Sequence, residues 1–283
     1  MGGCTSANNK IENSYKQVEK PSVEQPIIEI KPDPEFRNGK WYYKDESIYE
    51  GEMKNGKPDG KGIFIGKNGD RYEGEIKNGY RHGHGILIDK DKTRSEGTFI
   101  DGLADGHLKM IYINGCTYEG SYRKGKRNGH GVIVSHLGWK YEGNYINGEM
   151  SGKGMYTFAC GDKYTGDFND GKFNGFGILT YTNGSTVVGY FVDDKKHGRC
   201  LVTSIDIDIN NTKLITIHDG LYANGIKNGD GLMTCNRTNG STEITRGTWK
   251  NNKLHGYCEI SVDGILFYKG FYQDGYAVSP TSK

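Results

Sequence analysis

The amino-acid sequence predicts an all-β protein: an elongated, twisted, single-layer antiparallel sheet of stacked β-hairpin repeats, behind a disordered N-terminal segment. Three observations carry the prediction. Glycines in matching contexts fall at Gly51, Gly74, Gly97, Gly120, Gly143, Gly166 and Gly189, each 23 residues after the last, and the register resumes after an insertion at Gly220, Gly247 and Gly270. A fixed period of tens of residues marks one supersecondary unit stacked on itself. Around each register glycine the pattern alternates with period two, as a strand with two unlike faces requires. Composition agrees: 44 glycines beside 20 tyrosines and only 6 prolines fit neither collagen nor an aromatic-poor disordered chain.

At the N-terminus, residues 1–6 form an acylation signal. Met1-Gly2-Gly3-Cys4-Thr5-Ser6 fits M-G-x-x-x-[ST], with Gly2 as the myristoylated residue and Cys4 as the site for a palmitoyl chain. One myristoyl chain binds a membrane with a constant of only about 10⁴ M⁻¹, so stable anchoring needs a second signal. Basic and acidic residues cancel over residues 1–40, which places that signal at Cys4 rather than in a polybasic patch. Residues 7–40 are polar and interrupted by Pro21, Pro26, Pro32 and Pro34, a flexible linker. Lys40-Trp41-Tyr42-Tyr43 reads as a capping strand opening a repeat array over 41–276, with 277–283 as a tail.

Within a repeat, a tyrosine stands two residues before the glycine at Tyr49, Tyr72, Tyr118, Tyr141, Tyr164 and Tyr268. A large apolar residue follows it by two, as at Ile76, Phe99, Tyr122, Tyr145, Phe168 and Trp249, so ring, glycine and ring share one face. Asn55-Gly56, Asn78-Gly79, Asn147-Gly148 and Asn224-Gly225 then supply turn residues that tolerate positive φ. A G-x-G follows, and its second glycine is expected to leave room for a neighbouring ring. Between Gly189 and Gly220 the spacing grows by eight residues. Strands at Leu201–Ile209 and Lys213–His218 around Asn210-Asn211 are expected there, a lengthened hairpin with its insertion near 203–212.

The run Y-E-G-x-[FWY]-x-x-G-x-x-x-G-x-G at Tyr118–Gly131 and Tyr141–Gly154 resembles the MORN (membrane occupation and recognition nexus) repeat. Nine full copies and a partial tenth span residues 49–276. The resemblance implies a β-ribbon scaffold, often homodimeric, at membranes, cytoskeletal structures or cilia. Val187 for tyrosine, Asp194 and Asn252 for glycine, and Cys200 and Cys258 for glycine depart from the pattern and loosen the regularity of the C-terminal third.

Several chemistries are argued against. A net charge of +2 without a Lys/Arg run gives no field for nucleic acid. The six cysteines form no C-x-x-C pair, and Cys200 and Cys258 read as small buried stand-ins for glycine. His84, His107 and His130 form a row, but two strands per repeat at about 4.8 Å each separate them by ~9.6 Å, too far to share a metal. The same spacing disposes of Glu50, Glu73, Glu96, Glu119 and Glu142 as a carboxylate cluster. Gly83-His84-Gly85 lacks the helix and the Lys-[Ser/Thr] of a phosphate loop. No nucleophile grouping stands outside the repeat, so no catalytic residues, metal or cofactor are expected.

The expected function is therefore that of a non-enzymatic scaffold on the cytoplasmic face of a membrane, recruiting other proteins. Two surfaces stand out. Hairpin tips carrying Lys54, Lys57, Lys77, Arg81, Arg123, Lys124, Lys126 and Arg127 form a basic edge for anionic phospholipids or an acidic partner. The face opposite the aromatics changes from the glutamate row to Val188, Tyr190, Val192, Leu221 and Phe271, and is expected to be buried in a homodimer through the C-terminal repeats or against a partner. The alternatives are a phosphoinositide- or anionic-lipid-binding regulatory module of an enzyme system, and a ciliary or cortical cytoskeletal component.

Overall fold

The computed structural model describes residues 34–207, 213–237 and 239–278. The acylation signal at Gly2 and Cys4, most of the expected linker, Asn210-Asn211 at the insertion tip and the last residues of the tail lie outside them. The described residues form 22 strands and no helix. They divide into two compact units, 34–151 and 152–278. Within each unit the strands pair antiparallel with their sequence neighbours, as in a meander.

In the first unit the sheet begins earlier than expected. Strand β1 (Glu35–Arg37) pairs with β2 (Lys40–Tyr42), Glu35 opposite Tyr42, inside the residues expected as linker. The reason is turn chemistry: Asn38 and Gly39 both take positive φ (52° and 77°), the same two-residue turn that closes the repeats. Phe36 then packs on Trp41 with ring centroids 4.6 Å apart.

One repeat shows how the others work. Strands β9 (Thr117–Arg123) and β10 (Lys126–Val134) are joined by Lys124-Gly125, both at positive φ. The pairing then slips: Arg127 faces Tyr122 and Gly131 faces Gly120, so three residues on β10 oppose the single Ser121. Such a bulge needs a residue free of Cβ strain, and Gly129 takes it at φ 98°. Where the residue opposite the bulge is acidic, its carboxylate accepts the loose N–H of the bulge: Lys61 N–H donates to Glu52 at 3.3 Å, His84 N–H to Glu75 at 3.2 Å, and Phe176 N–H to Asp167 at 3.1 Å. At the tip, the Gly125 N–H donates to the Ala104 carbonyl of the preceding hairpin (2.8 Å), and Gly148 repeats the bond to Arg127 (2.9 Å).

The core lies along the aromatic face. Tyr118 folds back over Gly120 and Gly131, and a Cβ added at Gly131 would collide with its phenol. The Tyr118 hydroxyl donates to the Ser121 carbonyl at 3.3 Å; Tyr49, Tyr72, Tyr141 and Tyr164 make the same bond three residues on, at 2.8 to 3.0 Å. Burying a ring of this size stabilises by about 1.5–3 kcal/mol, while the hydroxyl stays satisfied.

Departures at the tyrosine position come in matched pairs. Ser95 replaces tyrosine, and Leu108, fully buried, replaces the second glycine of its G-x-G. Val187 is matched by Cys200 and Thr245 by Cys258, all four buried. A smaller residue at the tyrosine position frees volume that a side chain in place of glycine refills. His218 is the exception: it takes the tyrosine position yet keeps Gly231 beneath it.

Candidate interaction surfaces

On the outer face of the first unit, the glutamate row is built into ion pairs. Glu73 meets Arg71 at 2.7 Å, Glu96 meets Arg94 at 2.8 Å, and Glu142 meets Lys140 at 2.8 Å. The Arg94 guanidinium holds the Glu96 carboxyl below its usual range, and Lys140 does the same for Glu142. The histidines join as neighbours of the glutamates, His84 at 3.9 Å from Glu96 and His107 at 3.5 Å from Glu119. Among the described residues no three metal-binding side chains gather. Cys116 lies 3.2 Å from His136 Nδ1, a contact not visible in the sequence. It stands where Asp70 and Asp162 accept a loop N–H from the next repeat (Lys90 at 2.7 Å, Thr182 at 2.9 Å).

The basic tips divide. Lys54, Lys57, Lys77, Arg123, Lys124 and Lys126 are exposed. Arg81 and Arg127 do not belong to that edge, because the seventh residue after the register glycine points to the aromatic face. Arg81 is 5% exposed, donates through Nε and Nη2 to the Gly102 carbonyl (3.3 and 3.1 Å), and lies 5.9 Å from the Phe99 ring centroid. Arg127 donates to the Tyr112 hydroxyl at 3.0 Å, with its guanidinium carbon 4.8 Å from the Tyr118 centroid and 5.6 Å from that of Tyr145. The same position holds Pro58, Ala104, Met150 and Phe173 in other repeats, an apolar row that marks it as inward.

On the outer face of the second unit, the apolar residues are open rather than buried in the chain. The face spans β14 (Lys172–Thr180), β15 (Thr186–Val192), β16 (Lys195–Ile207) and β17 (Lys213–Ala223). Tyr190, 56% exposed, packs against Phe176 across the ladder at 5.6 Å. Val188 sits between Ile178 and Leu201 as ladder partner of both. Leu221 faces Arg199, whose guanidinium makes a two-point pair with Asp219 at 2.8 and 2.9 Å. Val192 is exposed at the end of β15 opposite Lys195. Phe271 belongs to a separate patch with Tyr257, 5.4 Å away. Phe176, Ile178 and Leu201 were missed from the sequence, though they fall at the outward positions of the second strand, where His84, Ile86 and Lys109 stand earlier.

These features define a hairpin-repeat protein whose copies are locked by a tyrosine lying over two glycines and joined through their turns. The chain belongs to the MORN repeat family: the MORN repeat model matches residues 49–71, 72–94, 96–117, 118–135, 141–163, 164–186, 188–206 and 246–264, more than half of it. The hairpin of His218 is the one left out between the last two matches. MORN repeats are protein- or membrane-interaction modules, and the family is generally non-enzymatic. No curated protein matches the chain. Among solved structures it is similar to the SAS-4 (dCPAP) TCP domain of Drosophila melanogaster, in complex with a proline-rich motif of Ana2 (dSTIL), with 12% identity and a TM-score of 0.32 over 65% of this chain and 94% of that one.

Proposed function

We propose that the chain is a non-catalytic scaffold, held on the cytoplasmic face of a membrane by acyl chains on Gly2 and Cys4, that recruits partner proteins through the outer face of its second unit. The observation that carries this reading is the open apolar surface of Phe176, Tyr190, Leu201 and Leu221 around half-buried Val188, on the face where the first unit sets its ion-paired glutamates. Exposed apolar surface of this kind marks a contact site. The N-terminal M-G-x-x-x-[ST] and the frequent membrane association of MORN repeats support the anchor. In cell fractionation, Gly2→Ala is expected to release the protein to the soluble fraction, and Cys4→Ser to make its attachment transient. Membrane retention of the Gly2→Ala form would overturn the anchor. Proximity labelling with Tyr190→Lys/Leu221→Lys is expected to lose partners, and an unchanged set would sink the docking face. A homodimer through the same face is the further form of this reading, tested by light scattering of the full chain and of the same double variant. A second reading rests on the six exposed tip cations as an anionic-lipid edge; it fails if neutralising Arg123, Lys124 and Lys126 together leaves liposome binding unchanged.

A further inference from the structure

In consecutive hairpins of the second unit, Lys196 and Lys227 take the inward position that Arg81 and Arg127 hold in the first. The arginines find oxygen acceptors there; Lys227 finds only a thioether and Lys196 only an aromatic ring. Lys196 Nζ lies 4.9 Å from the Tyr222 ring centroid. Lys227, the ladder partner of Tyr222 on β18 (Ile226–Asn236), brings its Nζ to 3.6 Å from Met233 Sδ, and Met233 is the ladder partner of His218. Neither ammonium has an ion-pair partner among the described residues. Asp219 and Asp230 stand on the outer face, where they meet Arg199 and the Thr248 hydroxyl (2.9 Å); Asp194 accepts the Phe173 N–H at 2.8 Å, and Glu243 pairs with Arg237.

Electrostatics agree with that geometry. Burial pushes both lysines below their usual range, and the charge of Lys196 adds to the depression at Lys227. His218 is 2% exposed, its ring 5.2 Å from Tyr222 and 4.9 Å from Trp249. Burial, then the charge of Lys227, pushes it down to about 4, so it is neutral near pH 7. Both of its ring nitrogens are buried without a hydrogen-bond partner. Two positive charges and one ring N–H thus share an aromatic wall that offers them no anionic acceptor.

We propose that Lys196, Lys227 and His218 form a binding site for a compact dianionic oxyanion, a phosphate monoester or inorganic phosphate, on the aromatic face of the second unit. Two uncompensated ammoniums are neutralised by a dianion, whereas a carboxylate leaves one charge over. A phosphate monoester carries about −1.5 to −2 at pH 7 and three strong acceptor oxygens, one for each donor of the set. The site is separate from the outer docking face and stands whether or not that face recruits a partner.

The test uses the full chain at constant ionic strength, with inorganic phosphate and glycerol phosphate titrated against chloride and followed by calorimetry and thermal melting. Saturable binding and a raised melting temperature are expected with phosphate. Lys196→Met/Lys227→Met is expected to keep its circular dichroism and lose affinity by on the order of tenfold or more. Lys196→Arg/Lys227→Arg should retain it, which separates lost charge from lost fold. Undiminished affinity in the methionine variant, or a melting shift equal to that in chloride, overturns the proposal. Flotation with phosphatidic acid vesicles against charge-matched phosphatidylserine vesicles distinguishes the source: a phosphatidic acid preference that disappears in the methionine variant assigns the phosphate to a membrane, and binding of the soluble ester alone assigns it to a free ligand.

Discussion

The two units share one hairpin but differ in what each face carries. In residues 34–151 the glutamates of the outer face are ion-paired, beside exposed Ile65, Ile100, Ile111, Val134 and Ile146, and the inward cations, Arg81 and Arg127, meet oxygen acceptors and aromatic rings. In residues 152–278 the outer face is apolar and open, and the inward cations, Lys196 and Lys227, are unpaired. The hairpin needs its turn, its bulge and a filled core over the register glycine, by tyrosine over glycine or by a matched pair of smaller side chains; it does not need any particular residue on the outer face or beside the turn. Those positions are free to vary, and the proposed contacts fall in the unit where they differ from the ion-paired copies.

The sharpest way to break the comparison is to exchange the matched core pairs. Val187→Tyr alone should drive a ring into Cys200 and cost about 3 kcal/mol of stability, as overpacking does. Adding Cys200→Gly should restore most of it, giving a coupling of about 2 kcal/mol in a double-mutant cycle read by denaturant unfolding. Additive effects would mean that the matching is accidental.

Next in size is the difference between inward and outward cations of one tip. Arg127→Ala removes a charged hydrogen bond and two ring contacts and should cost about 2–3 kcal/mol, whereas Lys124→Ala should stay within about 0.5 kcal/mol. Equal effects would return Arg127 to the basic edge.

A smaller effect is expected at His218. His218→Tyr rebuilds the regular repeat over Gly231, and its hydroxyl can donate to the Leu221 carbonyl, for a gain of about 1 kcal/mol. The variant also changes pH dependence. Because the folded value lies at about 4, the unfolded chain takes up a proton first as pH falls, so this residue withdraws stability between its unfolded value near 6.5 and about 4 and nothing further below. Melting curves over that range should fall more steeply for the wild type than for His218→Tyr. The least effect is expected from Glu96→Gln on the exposed face of the first unit, with a melting temperature that matches the wild type in the same melts.

Most of the lattice was legible because the repeat averages over itself. Tyrosine, glycine and turn recur at one spacing, and each copy supports the others. What remained hidden depended on the pairing across the turn. Charge alone groups Arg81 and Arg127 with their lysine neighbours, but the two-residue turn sets Arg127 opposite inward Tyr122 and Arg81 opposite inward Ile76, and the slip beyond leaves that parity unchanged. The row of Pro58, Ala104, Met150 and Phe173 carried the signal but had to be compared across copies. Phe176, Ile178 and Leu201 were missed for a related reason, since attention to the first strand left the outward positions of the second unread. The expected burial of the apolar outer face in a homodimer or against a partner concerns a second molecule; within one chain that face is open.

The tip bonds give the array a direction. Gly125 leans on Ala104 and Gly148 on Arg127, so in each of these tip bonds the later hairpin donates and the earlier one accepts, while side chains such as Arg81 reach forward to the next tip. Trimming the array from its front therefore leaves the next tip N–H to water, whereas trimming from its end leaves only a carbonyl, the group with the milder demand.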